Sequence, residues 1–116
     1  MVLLLSKNAK DLLEKIHDSS LYLKVISFVQ GLIDKNQLEP TEIQEKVLVN
    51  HLIEMVGRAK NGTALEEVDP VIFSNVSNSS LELADKVVKY IEKNIGKLSE
   101  SEKYVLSIHF ENMIIN

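Results

Sequence analysis

Cysteine is absent from the 116-residue sequence. Its absence excludes a disulfide framework, a thiolate zinc site and a cysteine nucleophile, so the stability of the fold has to come from packing. Clusters of lysine and arginine are also missing, and the formal net charge is -4. A chain with this balance is not expected to bind nucleic acid or anionic lipid through its overall field.

Long apolar runs are missing as well. The apolar stretch over residues 1–5 is too short for a signal peptide and has no basic segment before it, and nothing later approaches the length of a membrane span. We therefore expect a cytoplasmic protein that does not contact a membrane. The length of 116 residues, with 45% hydrophobic and 26% charged residues, is typical of one globular domain.

No stretch of useful length alternates apolar and polar residues as a half-buried strand would, whereas helical periodicity runs through the chain. The pattern predicts an all-α protein, a compact bundle of five to six helices. We expect a leading segment with a short helix over residues 1–19 and a single helical domain over residues 20–116. The predicted helices lie near residues 7–17, 21–36, 42–61, 70–76, 79–95 and 100–114.

Capping signals and apolar stripes define these helices. Capping boxes, in which a hydroxyl residue precedes Glu or Gln by three positions, are expected at Thr41 with Gln44, Ser79 with Glu82, and Ser99 with Glu102. Gly62 and Gly96 are expected to end two of the helices. The buried side of the helix after Thr41 should carry Ile43, Val47, Leu48, Leu52, Met55, Val56 and Ala59. That of the last helix should carry Val105, Leu106, Ile108, Met113 and Ile114.

Two histidines lie within apolar stripes of different predicted helices. His51 is followed seven positions later by Arg58, and His109 is preceded at the same distance by Glu102. Seven helical residues rise roughly 10 Å, and helical side chains lean toward the N-terminus, so Arg58 should reach back toward His51. By the same geometry Glu102 should point away from His109. We expect Glu102 to cap its helix or to pair with a cation on another helix, for which Arg58 is the candidate.

These two blocks, residues 48–52 with Arg58 downstream and residues 98–109, resemble the PTS regulation domain (PRD). This family of helical modules receives phosphoryl groups on histidine in bacterial sugar-responsive antiterminators and activators. The resemblance covers roughly residues 20–114, nearly the whole of a stand-alone domain. It implies a regulatory module, with His51 and His109 as phosphoryl acceptors and Arg58 and Glu102 as phosphate or ion-pair partners.

The resemblance also implies partners. The phosphodonor would be a phosphocarrier protein or a PTS enzyme II component, the module would form a homodimer, and a separate regulatory protein could receive the signal. No cofactor or metal is expected. Asn50 stands where antiterminators of the family often have Asp, and the sequence contains neither an RNA-binding domain nor a second regulatory copy. Antitermination is therefore not expected.

Two other functions stay open at this point. The chain could be a dimerisation or scaffold module that keeps the fold without being phosphorylated, because a histidine in an apolar stripe can simply be a packed residue, as we expect for His17. An enzyme is disfavoured, since there is no Gly-rich phosphate loop, nucleophile elbow or His-Glu-x-x-His motif. A metal site would require His51, Glu54 and His109 to meet.

Overall fold

Four α-helices form the regular structure of the part of the chain that the computed structural model describes, which is residues 19–65 and 75–114 with residues 67, 69 and 71. They are α1 (Ser19–Lys35), α2 (Glu42–Asn61), α3 (Asn78–Asn94) and α4 (Glu100–Ile114). These residues contain no strand, so the all-α prediction is confirmed.

The predicted count of five to six helices is not met, since the described part of the chain contains four. The helix predicted over residues 7–17 lies outside the described residues, as does most of the one predicted over residues 70–76. The division of the chain between residues 19 and 20 stays a prediction for the same reason.

Both predicted ends of α2 are confirmed. The Thr41 hydroxyl accepts a hydrogen bond from the Gln44 amide at 3.1 Å, and the Gln44 side chain accepts one from the Thr41 amide at 3.0 Å. This capping box satisfies amides that have no partner inside the helix. At the other end Gly62 has φ of 70° and donates its amide proton to the Arg58 carbonyl. Glycine adopts this left-handed conformation without a side-chain clash.

The predicted start of α3 is wrong by two residues. Ser77, not Ser79, is the N-cap, and its hydroxyl accepts a hydrogen bond from the Ser80 amide at 3.3 Å. The choice depends on α4, because Glu111 accepts hydrogen bonds from the Ser77 amide at 3.1 Å and from the Ser77 and Ser80 hydroxyls at 2.7 Å each. The carboxylate of Glu111 on α4 thus determines which of the neighbouring serines caps α3.

The capping box predicted at α4 is also wrong. The Glu102 amide donates to the backbone carbonyl of Ser99 at 3.1 Å, while the buried Ser99 hydroxyl has no hydrogen-bond partner among the described residues. The Glu102 side chain turns to Arg58 on α2 instead of back to its own helix. An ion pair between helices has replaced the local cap.

The helices enclose one apolar core. Helix α3 packs mainly on α4, α2 contacts the other three helices, and α1 lies against α2 and α3. No helix in the described ranges is both long and apolar enough to cross a membrane. The core consists of Tyr22, Val25, Ile26, Val29, Leu32, Ile33, Leu48, Val49, Leu52, Met55, Val56, Ala59, Leu83, Ala84, Val87, Val88, Ile91, Leu106, Phe110 and Met113.

Part of the predicted core is exposed. Ile43 and Val47 are 75% and 50% exposed, and Glu45 occupies the buried side of the first turns of α2. Ile108 and Ile114 on α4 are exposed as well. Periodicity identifies side chains that share a helix face, but it does not reveal how far a neighbouring helix covers that face.

Gly96 lies where the connection from α3 to α4 meets the backbone of α2. Its amide donates to the Ile91 carbonyl at 3.2 Å, which closes the last turn of α3 near the predicted position. A Cβ atom at this residue would overlap the backbone carbonyl oxygen of Ala59. Glycine is therefore required here by the close approach of two backbones.

Candidate functional site

His51 on α2 and His109 on α4 meet at the edge of the core. Their ring centroids are 4.9 Å apart, and the ring planes are inclined by 45°. Each histidine is partly buried and is followed in sequence by a fully buried side chain, Leu52 on α2 and Phe110 on α4. Both histidines therefore lie on turns of α2 and α4 that are packed on the core.

The environment of His51 keeps its ring neutral. Its Nε2 atom is enclosed and has no hydrogen-bond partner within the described part of the chain. Burial lowers the pKa of His51 to about 4, with smaller contributions from the positive charges of His109 and Arg58. At neutral pH the ring therefore keeps the nitrogen lone pair that any phosphoryl acceptor needs.

His109 is reached more easily from outside. It lines a pocket of about 220 Å³ together with Ile43, Gln44, Val47 and Asn112. The Gln44 side-chain amide donates to the Asn112 carbonyl at 3.3 Å and so links α2 to α4 at this pocket. Burial lowers the pKa of His109 as well, so this ring is also favoured in its neutral form.

Arg58 and Glu102 form a two-fold hydrogen-bonded ion pair between α2 and α4. Arg58 donates from Nε and Nη2 to the two carboxylate oxygens of Glu102, at 2.6 and 2.8 Å. The Glu102 side chain is 0% exposed and that of Arg58 is 17% exposed. The hydrogen bond with Glu102 is the main cause that raises the pKa of Arg58. Parallel bonds of this type combine charge with strict geometry.

The ion pair continues along the surface of α2. Nη1 of Arg58 lies 3.9 Å from the half-exposed carboxylate of Glu54, and the other oxygen of Glu54 accepts a hydrogen bond from Asn50 at 3.2 Å. Asn50 directly precedes His51. A row of polar contacts thus runs from the neighbour of one histidine to the buried carboxylate on α4.

The arrangement agrees with one of the two expectations for Glu102, since its carboxylate pairs with Arg58 on the other helix. Arg58 also lies near Glu54, one turn back along α2, and is close enough to lower the pKa of His51. Glu54 was considered as a metal ligand with the two histidines, but it faces Arg58. Across the described residues no group of three His, Asp or Glu side chains is placed to hold a metal ion.

Some contributors to the site were missed from the sequence. Phe110, next to His109 in the sequence, is buried in the core, and Gln44 joins the helices beside the pocket. Neither carries a strong local signal, since Gln44 was recognised as part of a capping box and Phe110 lies outside the apolar stripe assigned to α4. Their roles depend on how α2 and α4 pack.

Comparisons with known proteins agree with this geometry. The family model of the PRD domain matches residues 23–113. The structure also resembles the crystal structure of a PRD-containing transcription regulator from Lactobacillus casei ATCC 334, with a TM-score of 0.85, 42% sequence identity and coverage of 94% of each chain. No curated protein gives a significant match.

The chain belongs to the PRD family, as its two histidine blocks predicted. Family membership assigns it a regulatory role linked to the sugar phosphotransferase system. PRD domains are regulatory modules of transcription regulators and not catalysts, which agrees with the expectation that the chain is not an enzyme.

Proposed function

We propose that this protein is a phosphorylation-responsive regulatory module in which His51 and His109 accept phosphoryl groups. The donor would be a phosphocarrier protein or a PTS enzyme II component. The observation that carries the proposal is the meeting of two imidazoles, 4.9 Å apart, from different helices at the edge of the core. A packing role alone would not require a second histidine at this position.

The chemistry needs only what the site contains. A ring nitrogen with a lone pair attacks the phosphorus of the donor's phosphohistidine, and the phosphorus–nitrogen bond on the donor breaks as the new one forms. The electron pair of the broken bond returns to the donor ring, so no net proton is required. The lowered pKa of His51 and that of His109 both favour the neutral ring that can react.

The added charge would act on the row of contacts around Arg58. A phosphoryl group brings about -1.5 to -2 charges, and its one to three charge-assisted contacts are worth roughly 1–3 kcal/mol. Breaking a buried ion pair such as Arg58 with Glu102 costs about 3–5 kcal/mol. The phosphoryl group would therefore compete with the half-exposed Glu54, 3.9 Å from Arg58, and leave Glu102 in place.

The signal would pass through a surface next to the histidines. Ile43 and Val47 are exposed apolar side chains on the rim of the pocket that His109 lines. Exposed apolar side chains of this kind favour association, and the homodimer proposed for the module would use this face. A phosphoryl group on His109 would place charge at the rim and change the dimer or the contact with a separate regulatory partner.

Phosphate transfer provides the test. The protein is incubated with the phosphorylated general phosphocarrier system, and acid-labile phosphate on the chain is measured. Label is expected on the wild-type protein and on His17→Gln, which serves as the control. It should be lost in the double variant His51→Gln with His109→Gln. Label that persists in the double variant, or that is absent from wild type with every donor, contradicts the proposal.

A scaffold module without phosphorylation is the second candidate. It is favoured by the enclosed Nε2 of His51 and by the engagement of Arg58 with Glu102. This alternative predicts that the double glutamine variant of His51 and His109 associates like wild type under phosphorylating conditions. Under both hypotheses Ile43→Glu weakens association, which sedimentation velocity measures.

A further inference from the structure

Two phosphoryl groups, one on each histidine, would lie close enough to repel each other strongly. Their ring centroids are 4.9 Å apart, and each phosphoryl group would add about -1.5 to -2 charges. Coulomb repulsion scales with the product of the charges, so two such groups repel roughly two to four times as strongly as two unit charges at the same distance. A second phosphorylation therefore meets a penalty that the first does not.

The surrounding charges cannot remove that penalty. His109 on α4 and Arg58 on α2 lie close enough to affect the charge of His51, and Arg58 in turn contacts Glu54 and Glu102. The single guanidinium in this set is already paired with the fully buried Glu102. One phosphoryl group could share Arg58 by displacing Glu54, but a second would find two carboxylates and another phosphoryl group.

The two rings also differ in access. His109 lines the pocket beside Ile43 and Val47, whereas Nε2 of His51 is enclosed by protein atoms. A donor that approaches from solvent therefore reaches His109 first. The order of reaction follows from the placement of the rings rather than from their chemistry.

We propose that His51 and His109 form one shared site that holds a single phosphoryl group at a time, with His109 phosphorylated first and His51 then serving as its cationic partner. This inference rests on the proposed function and specifies its stoichiometry and order. It gives the enclosed Nε2 of His51 a role, since a protonated ring at this distance can hydrogen-bond to the phosphoryl oxygens of its neighbour.

Phosphorylation of His109 would reverse the electrostatics at His51. In the unmodified protein burial is the main cause that lowers the pKa of His51 to about 4, and positive charge on His109 or Arg58 lowers it further. A phosphoryl group on His109 would place an anion beside His51, which favours the protonated ring. The pKa of His51 would therefore rise, and the protonated ring has no lone pair with which to accept a second phosphoryl group.

Phosphoramidate is a suitable probe because it needs no protein donor. A ring nitrogen attacks its phosphorus, the phosphorus–nitrogen bond of phosphoramidate breaks, and ammonia leaves with the electron pair. No oxidant or reductant takes part. All proteins carry His17→Gln, so that His51 and His109 are the only histidines that remain. Intact mass, measured without acid, counts the phosphoryl groups over time.

The folded His17→Gln protein should gain one phosphoryl group and add a second at least about tenfold more slowly. Adding His109→Gln should still allow one group on His51, and adding His51→Gln should allow one on His109. The urea-unfolded protein should gain two at similar rates, which shows that the chemistry itself imposes no limit. In the singly phosphorylated protein, the pKa of His51 measured by NMR should be higher than in the unmodified protein, and an unchanged or lower pKa would overturn its role as a cationic partner.

The outcomes separate this inference from the proposed function. If the folded protein rapidly gains two phosphoryl groups, the shared site is overturned, but the proposal that the histidines are phosphorylated stands. If the variant with His109→Gln gains no phosphoryl group, the shared site is also overturned, because the enclosure of His51 alone would explain why it is not phosphorylated. No gain on any folded protein overturns both proposals. As a matched control, His109→Glu should slow phosphorylation of His51 several-fold relative to His109→Gln; equal rates would show that charge does not couple the rings.

Discussion

The ion pair between α2 and α4 offers the sharpest test of how this fold is held together. Arg58→Met removes the guanidinium and leaves the Glu102 carboxylate, which is 0% exposed, without its two hydrogen bonds of 2.6 and 2.8 Å. Loss of one partner from a buried pair typically costs about 3–5 kcal/mol. Arg58 itself is 17% exposed, and some solvent can follow the substitution, so we expect about 3 kcal/mol.

Urea denaturation measures this loss. Slopes of about 1–3 kcal/mol/M are usual for small domains, so a loss of 3 kcal/mol lowers the midpoint by roughly 1–3 M. The double variant Arg58→Met with Glu102→Leu should recover most of the loss, because apolar replacements of a buried pair are often neutral or stabilising. The recovery would show that the cost comes from a buried charge without a partner and not from lost packing.

A surface pair provides the matched control. Lys89 and Asp85 on α3 are 2.9 Å apart, with the lysine mostly exposed, so Lys89→Met should leave the urea midpoint nearly unchanged. The reasoning is refuted if Arg58→Met costs less than about 1 kcal/mol, as expected for an exposed pair, or if the double variant is no more stable than Arg58→Met alone.

Three further predictions concern pH, packing and capping. The pKa of His51 is lowered from 6.5 to about 4, so the unfolded chain binds the proton more readily than the folded protein does. The contribution of His51 to stability is complete above about pH 6.5, and about 2–3 kcal/mol of it is lost as the pH falls to about 4. Urea titrations at several pH values should show that His51→Gln flattens this profile. Gly96→Ala should cost about 1–3 kcal/mol because its Cβ would overlap the Ala59 carbonyl, and an unchanged thermal midpoint would contradict the contact. Ser77→Ala removes the α3 cap and a hydrogen bond to Glu111, and should lower the free energy of unfolding by about 1–2 kcal/mol. Faster amide exchange in the first turn of α3 would show the loss of the cap.

Local chemistry explains which parts of the fold were predictable. Thr41 with Gln44 and the glycine at residue 62 act within a few residues of each other, so the sequence specifies both ends of α2. At Ser77, by contrast, the choice among neighbouring serines depends on Glu111, 34 residues away along the chain. A cap selected by another helix leaves no local signal.

The candidate site shows the same division. Histidines in two apolar stripes were enough to indicate the PRD family and to name His51 and His109. Their separation of 4.9 Å, the enclosure of one ring and the pocket beside the other depend on the contact between α2 and α4. The direction of Arg58 likewise depends on a carboxylate that only the packed α4 brings within reach.

By itself the sequence determined the helical class, both ends of α2, most of the apolar faces and the two histidines, because hydrogen bonds and side-chain periodicity within one helix are set by residues a few positions apart. The tertiary structure decided which apolar side chains stay exposed, which serine caps α3, and that Glu102 pairs with Arg58 instead of capping its own helix. These outcomes depend on the distances and the solvent exclusion that arise between helices, and neither exists before the helices pack.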